Sequence, residues 1–271
     1  MMHFSFPGPA PSFVTLHHHS DFSDGHDTLA AMCRAGKAAG FRKFGISDHW
    51  VVAPFAGPEG IDWSIRQDRL SEYVQTIQNL QQELNDDHFQ LLLGLEVDYF
   101  PENFDQIRQS VAPYPFDYLI GSVHYVGEFS VDNIIDPWRD LTIDEVEEIY
   151  ARYWDLLTQL VRTGFYTVLG HLDLPKKFGF YPRGGYESQA NAVLAEVAKA
   201  SMAIELNTAG WEKECAEQYP SLAALQEAYR LRIPVVVDSD AHAVDQIGRN
   251  FPLAIETLRK AGYTLTGGET C

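Results

Sequence analysis

"SFVTLHHHSDFSDGHD", residues 12 to 27, sets an apolar run directly against four histidines and three aspartates. The run before the histidines is rich in β-branched and aromatic residues. It reads as a short buried strand, whereas an affinity tag sits at a free terminus with nothing structural ahead of it. The polar residues therefore stand at a strand end. In an extended chain side chains alternate with a period of two, so His17 and His19 share one side and His18 takes the other. Two imidazoles on one side of a strand end, with Asp24 just downstream, form a candidate metal site. A solvated polar loop is the alternative, and the rest of the chain decides between them.

Outward from this stretch the pattern repeats. The apolar runs "KFGIS", "FQLLLGL", "DYLIGSV", "YTVLG", "MAIEL" and "IPVVVD" alternate with longer segments of helical spacing. Leu70, Tyr73, Ile77, Leu80 and Leu84 step by threes and fours, which places them on one helix face. Thr142 and Glu145 form a capping-box pattern ahead of Val146, Ile149, Tyr153, Leu156 and Leu160, and Gly40 and Gly164 follow helical segments as stop signals. Strand, helix, strand repeated about seven times implies a mostly parallel sheet, because each helix serves as a crossover. Periodicity alone allows a closed barrel or an open sheet, and no GxGxxG or P-loop pattern marks a nucleotide fold. Without a repeat, low-complexity tract or linker, residues 1–271 read as one domain. Long connections at 50–63, 125–141 and 172–187 are candidate lids.

The residues that end these runs narrow the function. His17 and His19 follow the first, Asp48 and His49 the second, and Glu96 closes the third. His124, then His171 and Asp173, then Asn207, then Asp240 and His242 continue the series. In a parallel barrel every strand C-terminus opens on the same face, so these segments would converge there. A single histidine after a strand is ordinarily a core or turn residue. Asp48 and Asp238 suit turns or caps, and Asn207 can close a turn. Repetition at nearly every strand end selects a metal centre. Imidazole with carboxylate and without cysteine suits Zn²⁺, Mn²⁺ or Fe²⁺. So many donors exceed the needs of one ion, which implies two or three, with a carboxylate such as Glu96 bridging neighbours. Such clusters make hydroxide from water near neutral pH and neutralise phosphoryl oxygens, pointing to hydrolysis of phosphate esters.

Composition sets limits. A chain of 271 residues suits a single α/β barrel. No apolar run approaches the ~20 residues that span a bilayer, and "MMHFSFPGPAPSF" lacks the basic start and apolar centre of a signal peptide. The expectation is a soluble, cytoplasmic protein without a membrane partner. A formal charge of −18 opposes nucleic-acid binding, although bound cations would offset part of it. Cys33, Cys215 and Cys271 show no ligand spacing and read as two packed thiols and a terminal residue.

In their order, "HHHSDFSDG", "SDHW", "GLEVD", "GSVHY", "GHLD" and "DSDAH", spanning residues 17–242, resemble the motifs of the PHP (polymerase and histidinol phosphatase) superfamily of metal-dependent phosphoesterases. "GSVHY", "GHLDLPKKFG" and "IELNTAG" are most similar to its histidinol-phosphate phosphatases. The resemblance implies a distorted seven-stranded (βα)7, TIM-like barrel with a trinuclear site of Zn, Mn or Fe. By motif, one ion would take His17, His19, Glu96 and Asp240, a second Asp24, His49 and His242, and a third Glu96, His124 and His171. His26 is the rival of Asp24. Glu96, Asp240 and His242 would also be catalytic. The implied reaction, in histidine biosynthesis, is hydrolysis of L-histidinol phosphate to L-histidinol and phosphate.

A phosphate monoester needs donors beyond the metals. Lys176, Lys177, Arg183 and Arg249 follow the strand-end motifs. Lys176, Arg183 and Arg249 are the expected contacts, and Asp98, Tyr99 or Trp50 could receive the amine and imidazole end. Three other readings compete: hydrolysis of a nucleotide or another small phosphoester, a metal-dependent amidohydrolase, and a noncatalytic metal-binding barrel. No lysine directly after a middle strand offers the amidohydrolase a carbamylated bridge. Substrate preference and metal-dependent turnover separate these readings, and the oligomeric state is left open.

Overall fold

The computed structural model describes residues 14–57 and 60–264, so the expectations for Ser12, Phe13 and Cys271 lie outside the described residues. The first half of the chain forms β1 (Val14–Thr15), α1 (Leu29–Ala38), β2 (Lys43–Ile46), β3 (His49–Trp50), α2 (Leu70–Leu84), β4 (Gln90–Asp98), α3 (Phe104–Val111) and β5 (Tyr118–Ser122). A hairpin of β6 (Tyr125–Val126) and β7 (Phe129–Ser130) follows, then the short α4 (Asp136–Arg139) and the long α5 (Ile143–Arg162). The remainder is β8 (Val168–Leu169), α6 (Glu187–Ala200), β9 (Ala203–Asn207), α7 (Leu222–Arg230), β10 (Val235–Asp238) and α8 (Phe251–Ala261).

Seven parallel strands lie in the order β1, β2, β4, β5, β8, β9, β10. β3 continues the track of β2 along β4 in one register, His49 opposite Glu96 as Lys43 is opposite Gln90. The sheet closes on itself. His18 bridges Ala241 in parallel, and the buried Asp238 carboxylate accepts hydrogen bonds from the Thr15 hydroxyl (2.9 Å) and from the amides of Leu16 (2.5 Å) and His17 (3.2 Å). Asp238 is thus the clasp of a barrel, where the sequence suggests an ordinary turn or cap residue.

Alternation along the strands separates two environments. On β4, Leu91, Leu93, Leu95 and Val97 join the large cluster under the helices, while Leu92 joins a second cluster with Leu16, Tyr118, Ile120, Val168, Ala203 and Val236. That second cluster is an apolar plug inside the barrel. Its centre is Tyr118, whose hydroxyl donates to the Leu16 carbonyl. A Cβ added at Gly45 or Gly94 would lie 2.1 or 2.2 Å from the phenol, so the ring fits only because both neighbours lack side chains. Two residues beyond Gly94 on the same face comes Glu96, above the plug.

The helices follow their periodicity. Leu70, Tyr73, Ile77, Leu80 and Leu84 are all buried on α2. α5 opens with both bonds of the Thr142–Glu145 capping box, and Gly40 and Gly164 adopt positive φ after α1 and α5. On α5 the stripe passes through Leu157 instead of the expected Leu156, because four residues beyond Tyr153 is the better match to the helical repeat. The connection 125–141 is structured, containing the hairpin and α4 with Trp138 fully buried. Among the described residues no helix is long and apolar enough to cross a membrane.

Candidate metal centre

The nine side chains expected as ligands come together at the C-terminal mouth of the barrel. Their donor atoms form overlapping groups, each within 4.8 Å: His19, Asp24, His49 and His242; His17, His19 and Glu96; His17, His171 and Asp240; and His49, Glu96 and His124. Glu96 is central and fully buried. Its Oε2 faces His49 Nδ1 at 2.8 Å, His17 Nε2 at 3.1 Å and His19 Nε2 at 3.6 Å, while Oε1 faces His171 Nε2 at 2.8 Å and His124 Nε2 at 3.4 Å. Asp240, in the left-handed region at φ +50, lies 3.1 Å from His19 Nε2 and 3.6 Å from His17 Nε2. Asp24 lies 3.3 Å from His242 and 3.6 Å from His49. Its rival His26 lines the mouth without entering a donor group among the described residues.

These contacts are close, yet many are not hydrogen bonds. Glu96 Oε2, His17 Nε2, His19 Nε2 and His49 Nδ1, all facing the cluster, are buried without a hydrogen-bond partner. Buried polar atoms are almost always paired, so a convergent set of unpaired donors fits common divalent cations. Electrostatics agree. Burial alone would lower His124 and His242, but Asp98 and Glu96 lift the first to about 10, and Asp24 and Asp240 lift the second to about 9. His19, buried between His49 and His242, is pushed down to about 3. Burial would raise Glu96, yet His17, His49 and His124 hold it well below the usual carboxylate range. In the chain by itself, protons supply positive charge that cations would otherwise bring.

A supporting layer fixes these rings. His17 Nδ1 lies 2.8 Å from Glu205, whose other oxygen accepts from the His171 amide and from Asn207, and His124 Nδ1 lies 2.6 Å from Asp98. With Nδ1 engaged, Nε2 is directed at the cluster. Asp48 accepts from the Ser20 amide and from the Ser20 and Ser23 hydroxyls, shaping the loop that carries Asp24. His18, as alternation predicts, turns away and stacks on Phe44 at 4.1 Å. No strand-end motif singles out Glu205, although it lies one alternation before Asn207 in "IELN" and so shares its face.

The cluster floors a cavity of about 450 Å³ whose walls include Trp63, Leu174, Lys177, Lys213, Tyr219 and Arg249. Arg249 donates to the Ser239 carbonyl and keeps a buried Nε without a partner. Lys177 is held by Asp132, 3.1 Å away. Lys213 makes no ion pair among the described residues, and burial, then the charge of nearby Lys177, lowers its pKa. Two expected contacts fall elsewhere. Lys176 is fully buried, its ammonium on Glu217, Gln218 and Asp173; on a tight 3-10 turn adjacent side chains diverge, and Lys177 takes the cavity side. Arg183 is captured on the exposed surface by Asp144 and Glu147 of α5. Trp50 and Tyr99 are buried on Ser110 and Gln159, and Asp98 orients His124, so none of the three lines this cavity. Trp63 and Lys213 had no distinguishing signal in the sequence.

A parallel barrel whose strand ends aim buried imidazoles and carboxylates at shared points has the architecture of a metal-dependent hydrolase. The chain belongs to the PHP domain family, which matches residues 15–209. It is 34% identical over 240 residues to the "probable histidinol-phosphatase" of Deinococcus radiodurans, covering 84% of this chain and 85% of that protein. It is 27% identical to the histidinol-phosphatase of Bacillus subtilis, over 85% of this chain and 93% of that protein. Among solved structures, the histidinol phosphate phosphatase of Lactococcus lactis, complexed with zinc, L-histidinol and phosphate, superposes with a TM-score of 0.77 at 25% identity, covering 93% of this chain and 94% of that one.

Proposed function

We propose that this chain hydrolyses L-histidinol phosphate to L-histidinol and phosphate, with two to three divalent cations in its strand-end cluster. The observation that carries the reading is Glu96, whose two oxygens serve different sets of imidazoles, as a carboxylate joining neighbouring ions would. In a trinuclear arrangement His17, His19, Glu96 and Asp240 would hold one ion, Asp24, His49 and His242 a second, and Glu96, His124 and His171 a third. When bound, such ions supply Lewis acidity that neutralises phosphoryl oxygens and makes water a better nucleophile near neutral pH.

The chain's own groups do the rest. Arg249, Lys177 and Lys213 line the cavity and hold the phosphate dianion. Asp240 and His242, which also line it, position the attacking water, and Trp63 and Leu174 cover the organic end and exclude bulk water. The relatives and the Lactococcus lactis complex support the choice of substrate. The test is phosphate release from histidinol phosphate beside a panel of phosphoesters, on protein purified without chelator and assayed for metal. Two to three ions per chain and a marked preference for histidinol phosphate are expected. Preference for a nucleotide or another ester would overturn the substrate, and metal-independent turnover would overturn the mechanism.

A further inference from the structure

Lys176 is the most completely buried cation of the described residues, and its surroundings are specific. The side chain is 0% exposed. Its ammonium has three donors and three acceptors to meet them: Glu217 Oε2 at 2.6 Å, the Gln218 carbonyl at 2.7 Å and Asp173 Oδ2 at 2.9 Å. Asp173 is itself fully buried and also accepts from the Tyr186 hydroxyl (3.0 Å) and the Ser221 amide (2.8 Å). The partners lie on two loops. One is the turn Leu174–Phe178 after β8, which gives Leu174 and Lys177 to the cavity. The other follows β9 and gives it Lys213 and Tyr219. A single further backbone bond, from the Cys215 amide to the Lys177 carbonyl at 3.1 Å, joins the same loops.

We propose that Lys176 is a positioning residue that locks these two loops together and so sets the spacing of Lys177 and Lys213 around the substrate phosphate. The inference rests on the phosphatase reading above. Lysine suits the task because it is a compact point charge with three rotatable donors, and a buried pair of this kind gives specificity of arrangement more than stability. Loss of the joint loosens both cationic walls while leaving the metal cluster, which lies on other residues, intact.

Lys176→Met alone strands a buried Asp173 carboxylate and is a poor probe, so the charge-neutral pair Asp173→Asn/Lys176→Met and the milder Glu217→Gln are the variants to make. Both are loaded with Zn²⁺ or Mn²⁺ and assayed on histidinol phosphate, with inorganic phosphate as competitor. In the double variant, KM and the inhibition constant for phosphate are expected to rise about tenfold, with kcat within about twofold and metal content unchanged. Glu217→Gln gives the same split at a few-fold. Folded variants with unchanged KM and phosphate inhibition overturn the inference, as does a fall in kcat and metal content at constant KM. A wild-type enzyme that neither binds phosphate nor turns over a phosphomonoester removes the phosphatase reading and this inference with it; normal wild-type turnover with silent variants removes this inference alone.

Discussion

Five imidazoles lie within 3.6 Å of the two oxygens of Glu96, three about Oε2 and two about Oε1. Glu96→Gln keeps volume and shape but replaces one ligating oxygen with an amide that donates. Metal affinity should fall about 10–100-fold, by the scale of support lost at such sites, with turnover falling at least as far. Metal analysis after dialysis against a weak chelator checks this; full occupancy with full activity would deny Glu96 its bridging role. The cations give a sharper contrast. Arg249 has an unpartnered buried Nε beside the cavity, whereas Arg183 is engaged by Asp144 and Glu147 at the surface. Arg249→Ala should raise KM for a phosphomonoester roughly tenfold or more with metals retained, and Arg183→Ala should leave KM and kcat unchanged, since exposed pairs contribute ~0–1 kcal/mol and nothing to the site. Equal effects would mean that distance from the cavity does not decide which cation meets phosphate.

At the scale of elements, closure depends on Asp238. One carboxylate oxygen gathers a hydroxyl and two amides from the first strand and the residues just after it. Asp238→Ala leaves these buried donors unmet and should cost about 2–4 kcal/mol, near ten degrees in Tm, while Asp238→Asn retains an acceptor oxygen and costs less. Thermal melts of the two variants decide it; identical melts would show that strand pairing alone closes the barrel. Thr142→Ala, at the α5 capping box far along the chain from any ligand, should cost about 1 kcal/mol and leave turnover alone. These elements also show what the sequence can tell. Alternation in "HHH" separates His17 and His19 from His18, and helical stepping finds the buried face of α2, because both signals are local and periodic. The phase of a 3-10 turn is not, so Lys176 and Lys177 could not be told apart, and the loop after β9 carries Lys213 with no periodicity at all. The choice of a closed barrel over an open sheet depends on contacts such as Asp238 with Leu16, 222 residues apart, which no local pattern records.

For the whole molecule the question is what compensates so much negative charge. The chain carries 38 acidic against 20 basic side chains. Glu96, Asp98, Glu205 and Asp238 are buried at or beneath the cluster, with Asp24 and Asp240 at its rim. Outer carboxylates are screened by salt, but buried ones are not, and they need a partner inside the protein. Cations bound to the folded chain alone raise its stability by mass action, by about 4 kcal/mol at a thousandfold excess over the dissociation constant, and for a chain of this size that is about ten degrees in Tm. Chelator-treated protein should therefore melt about ten degrees lower and lose turnover. Zn²⁺ or Mn²⁺ should restore both, and sodium chloride should restore neither. The two losses can part company. If chelation abolishes turnover and leaves Tm unchanged, the protons held by His124 and His242 suffice to balance the buried carboxylates, and the cations serve the chemistry while the Asp238 clasp and the Tyr118 plug hold the barrel on their own.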